Sequence, residues 1–233
     1  MILRVPNIFF PRRCPICDRT IPGNRLICTG CNPDAGLVRG QTCCKCGKPM
    51  RNEDEIYCYD CRKTPKGYER GFAVYEYDYI RSSLYRFKYS KRAEYASFYA
   101  KKTHERYGTV LQNLGIEALI PIPVHKSRLR KRGYNQALEY ANELSKLTNI
   151  PVKNDLLIRA KKTKAQKELT PADRQKNLKK AFKLQSFGVK LQRVCVVDDI
   201  YTTGSTVNAV AKLLKQTGIK EVYFITIAIG RGY

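Results

Sequence analysis

Tryptophan is absent from this 233-residue chain, and histidine and methionine occur only twice each. Stacking on planar ligands therefore falls to sixteen tyrosines and eight phenylalanines. His104 and His125 lack the spacing of a metal-ligand pair, and each reads as a surface or helix residue. Acidic side chains are scarce, 20 against 44 Lys and Arg, and the formal charge of +24 favours a polyanion as partner. A nucleic acid, a phosphorylated metabolite or an acidic membrane face all fit that field. Long apolar runs are also missing. The opening "MILRVPNIFFPRR" is too short and too broken by Arg and Pro for a signal segment or a membrane span, and no later run reaches spanning length. The expected location is the cytoplasm, including the inner face of the membrane.

Cysteine is what the chain has in excess, and it is unevenly placed. Nine of ten cysteines precede residue 62, and only Cys195 lies beyond. In a compartment that keeps thiols reduced, clustered pairs mean metal more often than disulfide. "CPIC" and "CTGC" contribute Cys14, Cys17, Cys28 and Cys31; "CCKC" and "CYDC" contribute Cys43, Cys46, Cys58 and Cys61. Two thiolates separated by two residues curl onto one Zn²⁺, and two such knuckles close a Cys₄ tetrahedron. Cys43 rather than Cys44 keeps the two-residue gap to Cys46. Two structural zinc sites are expected, with disulfides or a single filled site as the alternatives. Eight thiolates and two Zn²⁺ would lower the charge only to about +20.

The length suits one full core plus a smaller module. A Pro/Gly-bearing connector, "KTPKGYERG", separates a cysteine-rich part, residues 1–66, from a part at residues 67–233 with a different pattern. There strands alternate with helices: strands at "FAVYEY", "IEALIPIP", "VKNDLLIRA", "RVCVV" and "KEVYFITIAIG", helices through "LYRFKYSKRAEYASFYAKKTHERYG", "YNQALEYANELSKL", "TPADRQKNLKKAF" and "STVNAVAKLLKQTG". That alternation argues for an α/β fold with a parallel sheet.

The stretch "RVCVVDDIYTTGST", residues 193–206, joins a buried-strand signature to paired acids and a Thr/Gly/Ser turn ahead of a helix. Ligands of open parallel sheets bind at the carboxyl ends of strands. Asp198 and Asp199 are expected to emerge there as acceptors for vicinal ribose hydroxyls. Thr202, Thr203, Gly204, Ser205 and Thr206 would hold a phosphate through hydroxyls, free amides and the helix dipole. A ribose 5-phosphate moiety satisfies both halves.

"VVDDIYTTGST" resembles the PRPP-binding motif of type I phosphoribosyltransferases, in which the acids hold the ribose and the loop holds the 5′-phosphate. Over nearly its full length the chain is similar to the ComF competence family: "FFPRRCPIC", "CCKCGKP", "PIPVHKSRLRKRGYNQA", "KAQKELTPADRQKNLKKAF" and the motif above occur in the family's order. The resemblance implies a double zinc ribbon in front of a phosphoribosyltransferase-like domain. It assigns the loop after "IPIPV", with Arg128, Arg130 and Arg132, to the diphosphate, and residues 159–177, with Arg159, Gln166 and Arg174, to a flexible closing loop. Mg²⁺ would accompany PRPP. The basic residues themselves agree, five in "HKSRLRKR" with no acid, ten in 159–183 against Glu168 and Asp173.

One departure matters. Where hypoxanthine-guanine enzymes carry an acid proposed to accept the base's proton, this chain has Thr202, so that specificity is not expected. No nucleobase pocket is identifiable, and the resemblance places the ribbons where many enzymes carry a base-binding hood. Two readings remain: a PRPP-binding accessory of DNA uptake that binds single-stranded DNA and works with other DNA-uptake proteins, or an active phosphoribosyltransferase of nucleotide metabolism. No residue is singled out as catalytic. A PRPP-sensing regulator is weaker still, since no helix-turn-helix is evident. The Tyr-rich stretch 68–107, with Arg and Lys between, is the best candidate for base stacking, although its helical spacing suits core packing.

Overall fold

A computed structural model describes residues 11–23, 25–50, 52, 54–160, 181–185 and 190–230. The sheet is built from β1 (Gly71–Glu76), β2 (Ala118–Pro121), β5 (Arg193–Tyr201) and β6 (Glu221–Ile229), all parallel, in the order β1-β6-β5-β2. Its central strands β5 and β6 are buried along almost their whole length. Continuous Val/Ile/Cys runs form strands of this kind because both faces are covered and no polar alternation is needed.

One face carries α2 (Tyr77–Tyr89), α3 (Tyr95–Asn113) and α5 (Gln136–Thr148), which bury Leu84, Phe87, Tyr99 and Tyr140 against Cys195 and Val197. The other carries α6 (Ser205–Lys215), whose Val207, Val210 and Leu214 meet Val194 and Val196. The helical material expected over 84–108 is divided between α2 and α3. Lys91 adopts a left-handed φ of 54°, and the chain turns between Tyr89 and Tyr95. The remaining helices among the described residues are α1 (Tyr59–Lys63) and α4 (Lys126–Arg132). Among the described residues no helix is long and apolar enough to cross a membrane.

"VKNDLLIRA" is not one strand. Val152 makes a parallel bridge to Leu119 at the sheet edge, and after the Asn154–Asp155 break β3 (Leu157–Arg159) pairs antiparallel with β4 (Phe182–Leu184). The helix expected over 170–182 lies outside the described residues except for Ala181 and Phe182, and Phe182 opens β4.

The cysteine-rich segment is not a free appendage. It covers the β1 edge, where an open strand would otherwise expose unpaired backbone. Val38 N donates to Val74 O at 2.9 Å, Gly71 N to Lys45 O at 2.9 Å, and Tyr75 Oη to Pro33 O at 2.7 Å. Cys43 and Cys46 belong to the same buried cluster as Tyr68, Tyr201 and Phe224.

Candidate functional site

The β5 strand runs four residues beyond its apolar tetrad, Val194–Val197, so Asp198 and Asp199 lie within its carboxyl-terminal half rather than past its end. Adjacent strand residues face opposite sides of a sheet. Asp199 accordingly points to the α2 side, where Lys88 Nζ meets its Oδ1 at 2.9 Å. Burial opposes charge on Lys88, yet Asp199 and Asp198 together hold its pKa above the ordinary value. Asp198 accepts from Asp199 N at 2.8 Å. Burial, reinforced by the neighbouring Asp199 carboxylate, pushes the Asp198 carboxyl up to about 7, against the opposing pull of Lys88 and Arg159.

Three residues after Tyr201 the chain turns at Gly204, with φ 73°, and α6 begins. A Cβ at Gly204 would lie 2.2 Å from Tyr201 Oη, so glycine is required both by the left-handed backbone and by the ring beneath it. Tyr201 Oη bonds Tyr68 Oη at 2.8 Å, and its ring stacks on Phe224 at 4.9 Å. Thr203 Oγ1 and Ser205 Oγ lie 2.9 Å apart. Thr203, Gly204 and Ser205 line a cleft of about 310 Å³ whose other walls include Thr64, Lys66 and Lys212. Thr202 is exposed and Thr206 half-buried beside them.

The segment after β2 is helix α4 rather than a loop. His125 caps it, accepting from Ser127 N at 3.2 Å, and Gly133 closes it at φ 87°. Arg128 and Arg130 are exposed, whereas Arg132, the last residue of α4, is buried against its neighbours and donates to Gln136 Oε1 at 2.8 Å and to Tyr89 Oη at 3.1 Å. Arg159, on β3, lies over the Phe182 ring at 5.2 Å. Burial lowers its pKa and the charges of Arg128 and Arg132 lower it further, while Asp198 acts in the opposite direction. These four charges therefore share one neighbourhood at the carboxyl end of the sheet. Gln166 and Arg174 lie outside the described residues.

Sequence reasoning missed Lys88. Lys88 belongs to α2, which follows edge strand β1, meets β5 through the Lys88–Asp199 pair and reaches Arg132 through Tyr89. The only sign in the sequence was the two basic residues, Arg86 and Lys88, interrupting the aromatic run "YRFKY".

The eight ribbon cysteines form two groups of four whose sulfurs lie within 4.8 Å of one another. A Cys₄ tetrahedron with Zn–S near 2.3 Å puts sulfurs about 3.8 Å apart. Cys17 and Cys28, and likewise Cys46 and Cys58, are 3.6 Å apart, which matches metal ligation and is far too long for a disulfide. Cys44 is exposed and outside both groups.

These features define a phosphoribosyltransferase-type domain joined to paired cysteine ribbons. Residues 5–62 match the double zinc ribbon domain, and residues 129–232 match the phosphoribosyl transferase domain. The chain belongs to the ComF family of competence proteins. It is 31% identical over 228 residues to competence protein F of Haemophilus influenzae, covering 92% of this chain and 95% of that one. It is 30% identical to the DNA utilization protein YhgH of Escherichia coli K12, over 95% of this chain and 96% of the relative. Competence protein ComFC of Bacillus subtilis matches at 25%, over 82% and 79% of the two chains. A purine phosphoribosyltransferase from Pyrococcus horikoshii aligns over 57% of this chain and 74% of its own at 18% identity and a TM-score of 0.36, too loose a match to place any residue.

Proposed function

We propose that the protein binds PRPP with Mg²⁺ at the β5–α6 turn and serves in DNA uptake, holding single-stranded DNA on its basic surface. One observation carries the PRPP reading: adjacent carboxylates near the end of a central parallel strand, followed within a few residues by a glycine turn rich in hydroxyls at the head of α6. Asp198 and Asp199 accept from the ribose hydroxyls, Thr202–Thr206 hold the 5′-phosphate, and Arg128, Arg130, Arg132 and Arg159 neutralise the diphosphate. Gln166 and Arg174 are assigned to the closing loop on the family resemblance alone.

In this reading residues 1–66 form a structural double ribbon with zinc in both clusters, and residues 67–233 carry the ligand. Family membership supports the role in uptake: relatives are named for competence and for DNA utilization. The net charge of +24 supports nucleic acid as a partner, and the place of action is the cytoplasm. Calorimetry with PRPP and Mg²⁺ tests the ligand. Saturable binding below millimolar is expected, and no heat at millimolar PRPP would refute it.

A further inference from the structure

Three large aromatic side chains of α2 are left in solvent: Tyr79, Tyr85 and Tyr89 are 65%, 62% and 50% exposed. A single exposed tyrosine is ordinary. Here Tyr85 and Tyr89 stand one helical turn apart with ring centroids 5.0 Å apart, tilted by 46°. Their neighbours Tyr68, Tyr75, Tyr95 and Tyr99 are fully buried, so the tyrosine-rich stretch splits into a core set and a surface set.

Through Tyr89 the surface set meets α4, the most basic helix among the described residues. The Arg132 guanidinium is 4.8 Å from the centre of the Tyr89 ring and donates to its hydroxyl. Arg132 is the last residue of α4, whose Arg128, Arg130 and Lys131 are exposed. Among the described residues no carboxylate forms an ion pair with these three, and Arg81 of α2 is likewise exposed without one. Open π-faces beside a row of unneutralised cations match what a single nucleic-acid strand needs: stacking for its bases and positive charge for its backbone.

We propose that the Tyr85–Tyr89 pair is a base-stacking platform for single-stranded DNA, with the strand's phosphates running along Arg128, Arg130 and Lys131. The inference deepens the DNA-binding part of the proposed function and rests on it. It also gives the strand and PRPP two cations in common, Arg128 and Arg130, so the two ligands compete there; Lys88, the residue preceding Tyr89, pairs with Asp199 of the same site. Stacking is indifferent to base identity, so the platform binds without strong sequence preference.

The test is a fluorescence titration of labelled oligo-dT with the full-length, zinc-loaded protein across a salt series. Tyr85→Ala should weaken binding by roughly 5- to 150-fold, the loss expected for one stacked base. Tyr85→Phe should retain affinity. The salt slope should stay unchanged in Tyr85→Ala, since losing a stack displaces no counterion, whereas replacing Arg128, Arg130 and Lys131 with Ala should reduce it by up to about 2. PRPP heat should be the same in Tyr85→Ala as in the parent. Crosslinking with 5-iodouracil DNA should label the tryptic peptide 82–86, which carries Tyr85. No DNA binding by the parent at low salt would remove the DNA reading itself. Parent-like affinity in Tyr85→Ala, with binding intact in the parent, would overturn only the platform and leave the face to a protein partner.

Discussion

Replacing Asp198 with Asn should stabilise the unliganded protein and weaken PRPP binding at the same time. The carboxyl is raised from an ordinary value of 3.8 to about 7, first by burial and then by Asp199. Lys88 pairs directly with Asp199, and its pull on Asp198 together with that of Arg159 does not offset burial. The sign follows from linkage: between pH 4 and 7 the unfolded chain releases this proton while the folded chain keeps it, so stability falls as pH rises through that window. About 3 pKa units at 1.36 kcal/mol each gives roughly 4 kcal/mol at pH 8. Asp198 is only partly shielded, and halving the figure for solvent screening leaves about 2 kcal/mol. For a chain of this size that is roughly 4–8 °C in Tm. The Asn side chain can still accept from Asp199 N through Oδ1, so the local backbone bond survives. A thermal melt series from pH 4 to 9 on parent and Asp198→Asn reads the effect directly. The gain should be greatest above pH 7, about a third as large at pH 5, and absent near pH 4. The amide offers one acceptor fewer to the ribose, so PRPP affinity should drop by about 1.5–3 kcal/mol. A gain independent of pH, or no gain at pH 8, would refute the electrostatic reasoning whatever happens to PRPP.

Two further outcomes are expected. Elemental analysis should find close to two zinc ions per chain, and chelation should abolish the main thermal transition as well as unfolding the ribbons, because Cys43 and Cys46 lie in the same core as Tyr201 and Phe224; a metal count near zero under reducing conditions would rule out ligation. Gly204→Ala should reduce PRPP affinity more than tenfold and cost stability by about 1–2 kcal/mol from the left-handed backbone alone, with the Tyr201 contact adding to it; unchanged calorimetric affinity would show that the turn holds no phosphate.

What could be read from the sequence was what local chemistry dictates. The continuous apolar run at Val194–Val197 could only be a strand covered on both faces, and the Thr/Gly/Ser cluster after it could only be a helix-opening turn. Cysteine spacing paired the eight ligands correctly because each knuckle closes over two residues. Lys88 escaped because its partner is 111 positions away, and the aromatic spacing around it signals only packing. The break at Lys91 escaped because neither glycine nor proline marks it. Arg132 is buried because it ends α4 against Tyr89 and Gln136, while Arg128 and Arg130 stay exposed, and a run of basic residues does not reveal which of them meets such neighbours. The β3–β4 pair joins three-residue strands too short for any periodicity to show.

The placement of the second ribbon gives a physical reason for one chain to carry both modules. Cys43 and Cys46 pack with Tyr68, Tyr68 bonds Tyr201, and the Tyr201 ring occupies the space that a side chain at Gly204 would need. Burial raises the pKa of Tyr201, so its hydroxyl stays neutral and remains a hydrogen-bonding partner for Tyr68. A metal that fixes Cys43 and Cys46 thereby fixes the floor of the candidate phosphate turn, through packed rings and one hydroxyl pair. The first ribbon acts on the opposite layer: Arg86 of α2 donates to Pro15 O and Ile16 O at 3.0 and 2.8 Å, two residues before Lys88 meets Asp199. Each ribbon therefore buttresses one side of the paired carboxylates, the second beneath the phosphate turn and the first behind the helix that supplies their cation.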